Sequence, residues 1–150
     1  MRDILFRGKK FNGEWAYGYY VQADYSWHNY GKHKEWIVCS ARANGGWFAL
    51  QEKHAVIPET VGQYTGLKDK NGKKIFEGDI VHILGNQDVS DLKSVNYNAL
   101  IAFLDGGFCA IDGTIEEHAI RRYAPARMDF DLEIIGNIHD NKLEDFENGC

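Results

Sequence analysis

Aromatic residues recur at every second position from Trp15 to Tyr19 in Trp15-Ala16-Tyr17-Gly18-Tyr19-Tyr20-Val21, and a period of two residues is the signature of a β-strand. Trp15, Tyr17, Tyr19 and Val21 fall on one face, and Ala16, Gly18 and Tyr20 on the other. Glycine opposite large aromatics implies that another element packs closely on that second face. The same short, apolar, turn-bounded character recurs at residues 4–7, 35–40, 47–50, 80–84, 97–104, 108–111 and 132–138. Many short strands at this spacing predict an all-β barrel or sandwich.

Turn chemistry separates the runs. Asn12-Gly13 precedes Trp15, Asn44-Gly45-Gly46 precedes Trp47, Asn71-Gly72 sits among lysines, and Asp105-Gly106-Gly107 joins Leu104 to Phe108. Asn, Asp and Gly accept the positive φ that tight hairpins require. Phe103 and Phe108, flanking the last of these turns, are expected in the core, and Ile134 with Ile138 are expected to close it. Helix signals are few. Thr114 and Glu117 make a capping box that opens a short helix towards Tyr123, limited by Pro125, and Asn141–Glu144 is a weaker signal of the same kind. At most two short helices are therefore expected.

At 150 residues the chain suits one domain or two small lobes, large enough to fold without disulfides or metal. The junction is best placed between Val56 and Gly62, where Pro58 interrupts the strand pattern, giving lobes of residues 1–60 and 61–150. A net charge of −5 argues against a general nucleic-acid binder, which carries a basic footprint. Cys39, Cys109 and Cys150 are odd in number and have no C-x-x-C spacing, as expected of free thiols in a reducing compartment. No apolar run near Met1 reads as a signal peptide, and none approaches the ~20 residues of a membrane span. The expected location is the cytoplasm, with no membrane partner.

Three stretches resemble the YopX family of phage and prophage proteins. The first is Phe6-Arg7-Gly8-Lys9 with Gly13-Glu14-Trp15-Ala16-Tyr17-Gly18-Tyr19. The second runs from Val56 through Gly62-Gln63-Tyr64-Thr65-Gly66-Leu67-Lys68 and Ile75-Phe76-Glu77-Gly78-Asp79 to Val81. The third is Glu133-Ile134-Ile135-Gly136-Asn137-Ile138-His139. The resemblance implies a bacterial host cell, a β-rich N-terminal lobe and a C-terminal lobe of the SH3-like barrel type. It carries no catalytic residues with it, since the family is one of conserved proteins of unknown function. Gly78-Asp79 leading into Ile80-Val81-His82-Ile83 agrees with a barrel's first strand.

The local motifs read mainly as structure. Gly66–Lys73 holds lysines and glycines but departs from G-x-x-x-x-G-K-[ST] and precedes no helix, so it is a hairpin tip and not a phosphate loop. Glu77 and Asp79 bracket a glycine, which favours a turn with Asp79 on backbone N–H groups over acid–base catalysis. Asn137 is expected to serve the backbone. His28, His33, His54, His82, His118 and His139 show no zinc spacing, and Cys39 and Cys109 read as small buried hydrophobes, so no metal or cofactor is expected.

The segment from Tyr25 to Trp36 differs, mixing aromatics, histidines and small polar residues without period. Tyr25, Trp27, Tyr30 and Trp36 are its candidate protein-interface residues, because Tyr and Trp give large contact area at low entropic cost. The resulting expectation is a non-catalytic binding or assembly protein, acting as a homo-oligomer or on a host or phage protein. Two alternatives accompany it. One is a nucleic-acid-binding accessory factor using Arg121, Arg122, Tyr123 and Arg127; the other is a small hydrolase with a site assembled only by the fold.

Overall fold

The computed structural model describes residues 3–23, 35–44, 47–86, 94–112, 121–123 and 130–141. Most of them lie in eleven strands: β1 Phe6–Lys9, β2 Trp15–Gln22, β3 Glu35–Asn44, β4 Trp47–Ala55, β5 Gly62–Lys68, β6 Lys74–Phe76, β7 Asp79–Asn86, β8 Ser94–Leu104, β9 Gly107–Asp112, β10 Arg121–Tyr123 and β11 Phe130–Asn137. A single 3-10 turn, Pro58–Thr60, is the one helical element among the described residues. The protein is all-β. Residues 113–120 and 142–150, where both helix signals centre, lie outside the described residues. The far end of the first predicted helix is instead strand β10.

The chain divides after Tyr64 into two compact units, Met1–Tyr64 and Thr65–Cys150. In the first, β4, β3, β2, β1 and the start of β5 pair in that order. β1 and β2 form the hairpin turned by Asn12-Gly13: Gly13 takes φ 89°, its N–H donates to the Lys10 carbonyl at 2.9 Å, and the Asn12 side chain accepts the Glu14 N–H at 3.1 Å. Ala16, Ile37 and Val56 are the buried core, with Phe6, Tyr20, Cys39 and Val61 packed against it. Thr60 fastens the 3-10 turn to the sheet: its hydroxyl accepts the Lys9 N–H at 2.8 Å and donates to the Ile57 carbonyl at 2.7 Å.

In the second unit the sheet order is β10-β9-β8-β7-β11. The sheet is a four-strand meander whose fifth strand, β11, returns to pair with the first, β7. Its core is Ile75, Val81, Ile83, Ala99, Ile101, Ala110 and Leu132. Buried aspartates hold its turns. Asp79, 1% exposed, accepts the Phe76 N–H at 2.8 Å, so the Gly78-Asp79 turn works as its sequence implies. Asp69 Oδ1 accepts the N–H groups of Asn71 at 2.9 Å and Lys73 at 2.8 Å, folding Gly66–Lys73 as a structural turn. Asn137 likewise serves the backbone, accepting the N–H groups of His139 and Asp140.

Phe103 is a correction. It is 48% exposed and meets half-buried Phe108 edge-on, ring centroids 5.1 Å apart. The two residues are direct cross-strand partners. Phe103 shares a face with Ala99 and Ile101, but it lies one step nearer the hairpin, where the core face runs out. Ile138 is also outside the core: β11 ends at Asn137, and Ile138 is 44% exposed in the following turn.

Candidate functional site

The first unit's sheet presents two chemically different faces. On one, Tyr20, Ile37 and His54 are cross-strand neighbours through the pairs Tyr20↔Ile37 and Ile37↔His54. Glu52, His54 and Val56 alternate onto that face along β4 and the residue that follows it. β3 has no regular partner at Cys39: its register with β4 shifts between Val38 and Ser40. Two residues beyond Ile37, Cys39 keeps to the core side, where it packs on Ile37 and its neighbours.

The consequence is a three-residue cluster. The Cys39 Sγ, a Glu52 carboxylate oxygen and an imidazole nitrogen of His54 all lie within 4.8 Å of one another. Glu52 Oε1 stands 3.5 Å from His54 Nε2. Cys39 and His54 are half-buried and Glu52 is exposed. Burial pushes the Cys39 thiol above its ordinary pKa, and the negative charge of Glu52 pushes it further. The thiol therefore stays protonated at neutral pH, which is the wrong state for a nucleophile.

Linear spacing could not reveal this set. It groups Cys39 with His28 and His33, which lie outside the described residues. The usable signal was the Glu52-Lys53-His54 alternation, which places an acid and an imidazole on one side of a strand. The β3–β4 register that sets Cys39 beside them has no mark in the sequence.

On the opposite face, β2 lays out Trp15, Tyr17 and Tyr19. Tyr17 is 53% and Tyr19 62% exposed. Arg7, paired with Tyr17 across β1, is buried, and its guanidinium carbon sits 4.6 Å from the centroid of the Trp15 ring. That stacking uses the guanidinium's weak hydration and flat shape.

The residues predicted from sequence fall as follows. Tyr25, Trp27 and Tyr30 lie outside the described residues. Trp36 is buried, 8% exposed, with the Lys53 ammonium 5.1 Å from its ring centroid. Arg121, Arg122 and Tyr123 form β10, paired with Asp112, Ile111 and Ala110 of β9, and Arg127 lies outside the described residues. Cys109 is buried, and its thiol is 3.6 Å from the Ala102 carbonyl. No described helix is long and apolar enough to cross a membrane.

Comparison with known proteins places these observations. The family model described as "YopX protein" matches residues 5–144. No curated protein matches the chain. Among solved structures, the chain is similar to the crystal structure of protein EF1440 from Enterococcus faecalis, with 21% sequence identity and a TM-score of 0.53. The match covers 94% of this chain and 96% of that one. At that identity the likeness is one of fold.

Proposed function

The chain belongs to the YopX family, and from that premise we propose that it is a phage- or prophage-encoded cytoplasmic protein that works by binding other proteins rather than by catalysis. The carrying observation is the exposed aromatic face of β2, where Tyr17 and Tyr19 stand in water beside the Arg7–Trp15 stack. Tyr, Trp and Arg are the residues that dominate protein interface energetics. Two phenols on one strand face form a rigid, amphipathic row that orders little on binding. In the sequence, Tyr25, Trp27 and Tyr30 follow β2 with the same residue chemistry. Trp36, being buried, is left out of the contacting set. A net charge of −5 weighs against the nucleic-acid alternative. The raised Cys39 pKa weighs against a thiol hydrolase.

The test uses the parent and a Tyr17→Ser/Tyr19→Ser variant in sedimentation velocity and in affinity capture from lysogenic cells. The expected result is a defined self-associate or a specific captured protein that the variant loses at an unchanged melting temperature. Identical sedimentation and capture by both proteins would overturn the reading.

A further inference from the structure

We propose that Cys39, Glu52 and His54 form a binding site for a divalent transition-metal ion of the zinc class. The thiolate, imidazole and carboxylate that these residues offer are the three protein ligand types zinc takes. Among the described residues, they are the one group of three such side chains whose donor atoms converge, all within 4.8 Å of one another. Metal–ligand bonds of about 2.0–2.3 Å place tetrahedral donors roughly 3.3–3.8 Å apart. The Glu52–His54 separation of 3.5 Å already lies in that range. Side-chain rotation alone can bring in the rest, since the three backbones are fixed on adjacent paired strands.

Cys39 follows Ile37 by two residues, and Ile37 pairs with His54, so Cys39 shares the sheet face on which β4 presents Glu52 and His54. Gly18 supplies the room: a Cβ there would stand 2.2 Å from the Val38 carbonyl oxygen and 3.2 Å from the Cys39 Cα.

A bound divalent ion would take Cys39 as thiolate and Glu52 as carboxylate, two negative charges against its own two positive ones. A thiolate ligand selects zinc-class ions over magnesium or calcium. Three protein ligands leave one coordination position for water or an incoming ligand.

The experiment is a titration of the full chain, freed of metal by chelator under reducing conditions, with Co(II) and then Zn(II). The Cys150→Ser background removes a terminal thiol. Binding of one equivalent of Co(II), a thiolate-to-cobalt charge-transfer band, and displacement of both by Zn(II) are expected. Cys39→Ser should abolish the band, and His54→Gln and Glu52→Gln should weaken binding by roughly tenfold or more, the scale on which lost coordination partners act. Glu52 is exposed, so Glu52→Gln reads the site without risk to the fold. Absence of the charge-transfer band in the parent would overturn the site. So would a band that survives in Cys39→Ser, or affinity unchanged in Glu52→Gln.

Discussion

A Cβ on Gly18 would stand 2.2 Å from the carbonyl oxygen of Val38, far inside van der Waals contact and against backbone that has no rotamer to yield. The regular β2–β3 register ends one residue before Gly18, at Tyr19↔Val38. Beyond it the Cys39 bulge leans onto β2. Gly18→Ala must therefore push the two strands apart at this point. Overpacking of this kind costs about 1–3 kcal/mol, and backbone opposition puts this case at the upper end. Urea denaturation checks it; a midpoint equal to the parent's would contradict the close approach.

Ile101 and Phe103 lie two residues apart on one face of β8, yet truncating them should have unequal effects. Ile101 is 1% exposed inside the second unit's core, and Ile101→Ala should cost about 2–5 kcal/mol. Phe103 is 48% exposed and spends one side of its ring on Phe108. Phe103→Ala should lose little beyond the ~0.5–1.5 kcal/mol of that ring pair. Thermal melts of both variants measure the difference, and equal losses would place the core boundary elsewhere.

These two residues also show how far the sequence could be read. Alternation located eight of the strands, because Trp15–Val21 and Ala99–Phe103 keep the strand period through their whole length. It could not say where along β8 the core stops, since that depends on how far neighbouring strands extend. β5 escaped because Gly62 and Gly66 dilute its apolar pattern, and β6 because it has three residues. The turn at Asn71-Gly72 was legible from its dipeptide, but Asp69, which holds it, is one acid among many in the sequence. The cluster at Cys39 was illegible because it depends on the register between β3 and β4, which is decided by pairing between strands.

Asp79 is buried at 1% exposure with its Oδ2 on the Phe76 N–H at 2.8 Å. Asp79→Ala leaves that donor unmatched in the interior, a loss of about 1–3 kcal/mol. Asp79→Asn retains a side-chain acceptor and should lose less. If the asparagine and alanine variants melt together, the hydrogen bond is not what the carboxylate contributes.

Asp69 gives the protein a stability term that depends on pH. Burial pushes its carboxyl up, but the backbone N–H groups of Lys73, Asn71 and Ile134 outweigh this and hold it below the ordinary carboxylate range. Two of those donors sit in its own turn, on Oδ1. The third, at 3.4 Å from Oδ2, belongs to β11, so one side chain ties the β5–β6 turn to the last strand. A carboxylate whose folded pKa is depressed stabilises fully above its unfolded value of about 3.9. That contribution fades as pH falls through the lower folded value. Asp69→Asn keeps one oxygen for the turn but turns an amide N–H₂ towards the Ile134 N–H, so a donor faces a donor. The variant should be less stable at neutral pH by about 1.5–3 kcal/mol, the usual contribution of hydrogen bonds to a charged group. Asparagine does not titrate, so the gap between parent and variant should narrow as pH falls below about 4. Glu14, also held low in pKa by its Lys10 partner, is common to both proteins and cancels in the difference. Urea melts of the pair across this range measure the gap directly. A gap that stays constant with pH would mean that the ionised form of Asp69 is not what secures the turn.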